Sequence, residues 1–194
     1  ALTDADPGLL LDRLADPSLP VGGQLLAAVY AAVAAVDPSR VEPPARIRVP
    51  DGPQSRLAHP DEVVVAPGPQ WLQLGLPAVV PGPEALAHVL DVELAADVYA
   101  VAPVGGVETP VPDVVGFVLP RAPQRYVEHD DLVVAGRSVE WWVDDVGAVH
   151  AATADGLARG LAWAADRWGR RFVVAEVLRD PSVVNQLLAE QAFD

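Results

Sequence analysis

Residues 126–168 leave this chain the fewest ways to fold. Tyr126-Val127-Glu128-His129 and Leu132-Val133-Val134-Ala135 are rich in residues that suit extended backbone. Gly136-Arg137 reads as a turn, and Ser138-Val139-Glu140-Trp141-Trp142-Val143 as the next strand. With period two, Val139, Trp141 and Val143 share one face and Glu140, Trp142 and Asp144 the other. Asp144-Asp145-Val146-Gly147 is a hairpin-type turn, with Val149-His150-Ala151 returning.

A long helix follows directly. Thr153 is a suitable N-cap, and Asp155 stands in the first turn, where the helix dipole favours an anion. Ala154, Leu157, Ala158, Leu161, Ala165 and Trp168 fall on one stripe, and Gly169 is the expected stop. Asp155 with Arg159, and Asp166 with Arg170, stand four apart, which predicts ion pairs along the helix. Gly156 and Gly160 weaken the helix by about 1 kcal/mol each relative to alanine. Close approach of the helix backbone to the sheet is the compensation this predicts.

The upstream region is built from shorter pieces. Two helices are predicted over 8–15 and 21–36, and a short strand at Arg46-Ile47-Arg48-Val49. Its alternating arginines suggest either an anion site or a solvated strand face. Strands at 62–66 and 78–80 alternate with helical pieces at 69–74 and 83–90, and a short helix is expected at 113–119. Residues 120–125 are the clearest linker. Two further helices are predicted at 172–178 and 182–189. The expectation is an α+β fold: a short mixed or antiparallel sheet, a C-terminal hairpin–helix unit and flanking helices. Residues 1–120 would form a helical pair plus a small α/β unit, and residues 121–194 the hairpin–helix unit, packed as one globular body.

Composition narrows the function. The 194 residues carry a net charge of −14, and every one of the 13 basic residues is arginine. Beyond Arg170-Arg171 there is no basic cluster, so nucleic acid and anionic membranes are disfavoured as partners. Absence of cysteine excludes disulfides and thiolate chemistry. No apolar run approaches the roughly 18 residues that a membrane span needs. The N-terminus shows no secretory pattern, so the expected location is cytoplasmic. An opening at Ala1-Leu2-Thr3, with no methionine anywhere, reads as an excised piece of a longer protein.

Candidate chemistry is sparse. The four histidines, His59, His88, His129 and His150, lack the i, i+4 spacing of helical metal ligands, and no metal or cofactor is expected. With no lysine there is no Walker motif, and no serine sits in a nucleophile elbow. Glu128, His129 and Asp130 form the densest acid/histidine cluster and are the candidate acid/base residues; the plainer reading is a polar turn between strands. His150 is placed to pair with Asp144 or Asp145 across the hairpin. Trp142 lies beside Glu140 and Asp144, and Trp163 beside Asp155, Arg159 and Asp166 on its helix face. Aromatics ringed by charge suit the anchors of binding surfaces, so Trp142 and Trp163 are the expected interface residues. Cover by loops from residues 40–120 is the alternative.

Tyr126-Val127-Glu128-His129, Trp142-Val143-Asp144, Gly147, Val149-His150-Ala151 and Gly156-Leu157-Ala158-Arg159-Gly160-Leu161-Ala162-Trp163-Ala164-Ala165 together carry a resemblance. They resemble the C-terminal end of large sacsin-like proteins from high-GC bacteria. Those proteins carry an N-terminal ATP-binding domain of the gyrase, heat-shock chaperone and histidine kinase type. The likeness is strongest over residues 126–194, and the family's nucleotide-binding motifs have no counterpart here. It implies a non-catalytic interaction or regulatory domain that accompanies a chaperone-like ATPase. Its partner would be the remainder of the parent protein or another protein. A free-standing acidic hydrolase using carboxylates and His129 is the alternative.

Overall fold

The computed structural model describes residues 6–191. It is an α+β fold whose helices flank small mixed and antiparallel sheets. The chain divides into two compact units, with the boundary between Ala100 and Val101.

In the first unit, Asp6 caps α1 (Pro7–Leu14) by accepting from the Gly8 amide. Helix α2 (Gly23–Val33) follows, and then the hairpin β1 (Ile47–Asp51) and β2 (Gln54–Ala58). Strand β3 (Val64–Ala66) pairs in parallel with β4 (Val79–Pro81). Helix α3 (Glu84–Leu90) leads to β5 (Glu93–Leu94), parallel to the other edge of β3, and to a single helical turn, α4 (Ala95–Val98). Leu26, Val33, Ile47, Val49, Val65, Val80, Leu86 and Leu90 form the core of this unit. Arg48 is buried there as a structural group. Its Nε donates to the Leu14 carbonyl at 2.7 Å and its Nη2 to the Asp16 carbonyl at 2.6 Å. The alternating arginines are therefore not an anion site, because Arg48 spends its donors on helix-end carbonyls.

The second unit starts with β6 (Val107–Pro110) and α5 (Val115–Val118). Next come β7 (Arg125–Glu128), β8 (Leu132–Val134), β9 (Arg137–Val139), β10 (Trp141–Val143) and β11 (Val149–Ala151). Three helices end the described chain: α6 (Ala154–Ala164), α7 (Arg171–Arg179) and α8 (Val184–Gln191). The main sheet has the order β10-β11-β7-β6, with β11 and β7 parallel and the outer pairs antiparallel. The expected boundary at residue 120 therefore moves upstream. Strand β6 pairs with β7, and Val115, Val118 and Leu119 join the second unit's core, so residues 101–120 belong to it. The proline-rich stretch at 120–125 is a tight internal connection, not a linker.

Residues 138–143 are also two strands instead of one. Val139 pairs with Leu132 in the β8–β9 hairpin, whereas Trp141 pairs with Ala151 in the main sheet. Glu140, between them, turns its carbonyl to the Ala152 amide. The β8–β9 turn is Ala135-Gly136, both residues with positive φ, and Arg137 already belongs to the strand.

Helix α6 seats against the sheet through its glycines. A Cβ on Gly156 would lie 2.1 Å from the Glu140 carbonyl oxygen, and one on Gly160 would lie 2.6 Å from Val149 Cγ1. Thr153 caps the helix through the Gly156 amide at 2.9 Å. The helix ends earlier than expected. Asp166 adopts left-handed backbone, the Arg167 amide donates to Ala162 O and the Asp166 amide to Trp163 O, the pattern of a Schellman closure. Trp168 thus falls in a separate 3-10 turn. The expected i, i+4 ion pairs give way to longer ones: Asp155 binds Arg179 of α7 and Arg159 binds Glu140.

Two substitutions test this seating. In an open helix Gly156→Ala would add about 1 kcal/mol, but a backbone carbonyl cannot step aside, and overpacking costs about 1–3 kcal/mol. Denaturant melts should show a net loss for Gly156→Ala; a gain would mean that α6 is not held against Glu140. Leu161 is fully buried, so Leu161→Ala should cost about 2–5 kcal/mol in the same melts.

Candidate functional site

Strand alternation puts Val127 and His129 on one side of the β7 segment, and register sets Val127 opposite His150, which lies opposite Trp142. The His129 amide donates to Ala151 O at 2.9 Å, extending the β7–β11 ladder by one residue. The two imidazoles meet: His129 Nε2 and His150 Nδ1 are 3.0 Å apart, and each residue is 7% exposed. His150 Nε2 is 3.3 Å from Asp144 Oδ2. Asp144 is itself positioned by the hairpin turn, its Oδ1 accepting from the Val146 and Ala148 amides at 3.1 and 2.7 Å. Gly106 closes over the outer imidazole. A Cβ there would lie 2.7 Å from His129 Nε2, and its φ of +89° favours glycine.

The result is a buried relay, Asp144–His150–His129. One proton arrangement satisfies it: His150 Nε2–H donates to Asp144, and His150 Nδ1 accepts from His129 Nε2–H. Burial, and next the neighbouring His150, hold His129 below the ordinary imidazole range. A proton added to His129 would charge a buried ring, so His129 favours the neutral state.

The sequence-predicted cluster does not converge. Of Glu128, His129 and Asp130, only His129 enters the relay. Glu128 is exposed, with Thr109 Oγ1 donating to it at 3.2 Å, and Asp130 is exposed past the strand end. Successive strand residues point to opposite sides, so adjacency in sequence separates these groups in space. Among the described residues no three His, Asp or Glu side chains gather as a cation site. His59 caps a 3-10 turn, and His88 is exposed on α3.

Nor do Trp142 and Trp163 share a surface. Trp142 is 1% exposed, on the sheet side opposite Trp141. Trp163 is half-buried on α6 and meets the edge of Trp168 at 6.1 Å between ring centroids. Trp168 in turn lies 5.7 Å from Trp141. The Arg171 guanidinium sits 4.6 Å from the Trp168 ring centroid and 4.2 Å from that of Phe172. Phe172 is 67% exposed. A cationic–aromatic stack therefore runs from the core residue Trp141 through Trp168 and Arg171 to solvent at Phe172. Beside it, a recess of about 300 Å³ is lined by Asp155, Arg159, Arg171, Phe172, Glu176 and Arg179. Sequence reading missed this stack because it follows the early end of α6. The Arg171-Phe172 dipeptide after Trp168 was its only signal.

Comparison with protein-family models, curated proteins and solved structures yields no match.

The relay makes a pH prediction. An unfolded imidazole titrates near pH 6.5, about where its proton begins to favour the unfolded chain. Because His129 is depressed in the fold, the relay's stability is fully present above about pH 6.5 and is lost as pH falls toward the lower folded value. Urea melts at about pH 7.5 and about pH 5.5 should show that loss. His129→Gln should flatten the slope; an unchanged slope would assign it to other groups.

Proposed function

We propose that this chain is a non-catalytic interaction or regulatory domain of a cytoplasmic, sacsin-like ATP-binding protein of the chaperone type. It engages a protein partner, first of all the remainder of its parent chain. The resemblance over residues 126–194 supports the family, and the Trp168–Arg171–Phe172 stack supports the mode. An aromatic ring 67% exposed, with its neighbouring guanidinium already ordered between two rings, loses little side-chain entropy on docking. Aromatic and arginine side chains are the usual anchors of protein interfaces. Trp163 supports the stack from beneath as its edge-on neighbour. Among the described residues no helix is long and apolar enough to cross a membrane.

The test is sedimentation of this chain with the region encoded upstream in its native gene. Complex formation should weaken about tenfold in Phe172→Ala, in line with the loss of one interface anchor. The melting temperature should hardly move, since Phe172 is exposed. An upstream region without an ATP-binding domain would overturn the family reading. Unchanged association in Phe172→Ala and Arg171→Ala would overturn the docking reading.

The Asp144–His150–His129 relay favours a second reading, a free-standing acidic hydrolase with His129 as base. A carboxylate that orients one imidazole, which orients another, is an arrangement that can move a proton. Hydrolysis of an activated ester by the purified chain, lost in His150→Gln with the fold intact, would raise this reading above the first.

A further inference from the structure

We propose that Asp51, at the tip of the β1–β2 hairpin, is a covalent modification site, where aspartate converts spontaneously to isoaspartate through a succinimide. The sequence holds two Asp-Gly bonds, Asp51-Gly52 and Asp155-Gly156. Glycine after an aspartate offers the least hindered amide nitrogen for attack on the carboxyl carbon, because it carries no Cβ. The two bonds are therefore alike as chemistry, and the fold treats them in opposite ways.

Asp51 is the last residue of β1, paired with Gln54, so Gly52 and Pro53 form the turn. Asp51, Gly52, Pro53 and Gln54 are all exposed. Gly52 has a φ of +57°, and a Cβ built on it would meet no atom within 4 Å. Among the described residues its amide has no acceptor in the turn, and the Asp51 carboxylate enters no ion pair or hydrogen bond. Ring closure needs rotation about the Asp51 Cα–C bond, which at this position disturbs only the closing rung of the hairpin. Asp155 has none of this freedom. Its carboxylate pairs with Arg179, and the Gly156 amide donates to Thr153 Oγ1 at 2.9 Å. Gly156 is buried in the first turn of α6, against the Glu140 carbonyl, so the same rotation there would unseat the helix.

The chemistry needs no reagent but water. The Gly52 nitrogen attacks Asp51 Cγ, forming the new C–N bond of a five-membered succinimide. The amide proton and the carboxyl hydroxyl leave together as one water. Water then adds to either ring carbonyl. Cleavage of the new bond restores aspartate. Cleavage of the original peptide C–N bond leaves isoaspartate, with the side-chain methylene now in the main chain and the former α-carboxyl as its free carboxylate. Mass and charge are unchanged, but the main chain is one carbon longer at the rung that closes the hairpin.

Ageing the intact, folded chain at neutral pH and physiological temperature tests the assignment. Trypsin cuts after arginine and releases peptide 49–56, which carries Asp51, and peptide 138–159, which carries Asp155. Isoaspartate is then read by chromatographic separation of the equal-mass forms and by electron-transfer fragmentation, which places it within each peptide. It should accumulate at position 51 at least about tenfold faster than at position 155, because α6 must open before the Gly156 nitrogen can attack. In urea the two rates should converge, since only the fold distinguishes the bonds. Asp51→Glu, which could cyclise only through a six-membered ring, should abolish the product there. The position is exposed and the charge is kept, so the melting curve should match that of the parent protein. Equal rates at the two positions in the folded chain would overturn the proposal. So would an Asp51 that converts in urea but persists as aspartate in the folded chain.

Discussion

The C-terminal unit depends on how closely α6 can approach its sheet. Gly156 leaves no room for a side chain against the Glu140 carbonyl, and Gly160 none against Val149. That contact lets Leu157, Ala158 and Leu161 bury fully while the helix lies near β10 and β11. It also explains why two glycines persist in a helix that they weaken locally. The tertiary gain from burying the stripe exceeds a propensity cost of about 1 kcal/mol per glycine. Glu140 is the hinge of the arrangement. Its carbonyl receives the Ala152 amide beside Gly156, and its side chain holds Arg159.

With one sheet face committed to α6, the opposite face is free to carry polar groups, and His129 and His150 occupy it. A buried histidine pair is costly unless each nitrogen is satisfied, and the hairpin turn provides the carboxylate that completes the chain of hydrogen bonds. Gly106 then seals the outer ring, because only a residue without a Cβ can pass so near it. The relay is thus tied to the same register that seats the helix. A one-residue slip of β11 would move His150 into the helix face and Val149 out of it.

The arginines of the C-terminal unit differ in what they meet. Within residues 159–179, Arg159, Arg167, Arg170, Arg171 and Arg179 face only Asp166 and Glu176 as local acids, against the strongly acidic whole. Arg159 and Arg179 are consumed by distant carboxylates, and Arg171 is stacked between Trp168 and Phe172. Arg167 and Arg170 line one recess with Arg121. Basic character that looks dilute along the chain is concentrated in space by the turn between α6 and α7.

Local signals were sufficient wherever period and punctuation agree. The α+β class, the Asp144–Gly147 turn, the Thr153 cap, the burial of Leu157, Ala158 and Leu161 and the close approach of α6 at its glycines were all legible, whereas Ala154, expected on the same stripe, is exposed. Each follows from neighbours a few residues apart. Pairing between distant segments was not legible. Strand β6 gave no sign that it would join β7 and carry residues 101–120 into the second unit. Nothing local divided residues 138–143 at Glu140. The candidate site split the same way. His150 with Asp144 is a contact across one hairpin, and the sequence offered it beside Asp145. His129 reaching His150, Trp142 being buried, and Arg121 joining Arg167 and Arg170 depend on strand order and on where α6 ends. Residue patterns determine which way each side chain points from its own element. Which elements then meet is decided by the burial of whole faces, a property of the assembled fold.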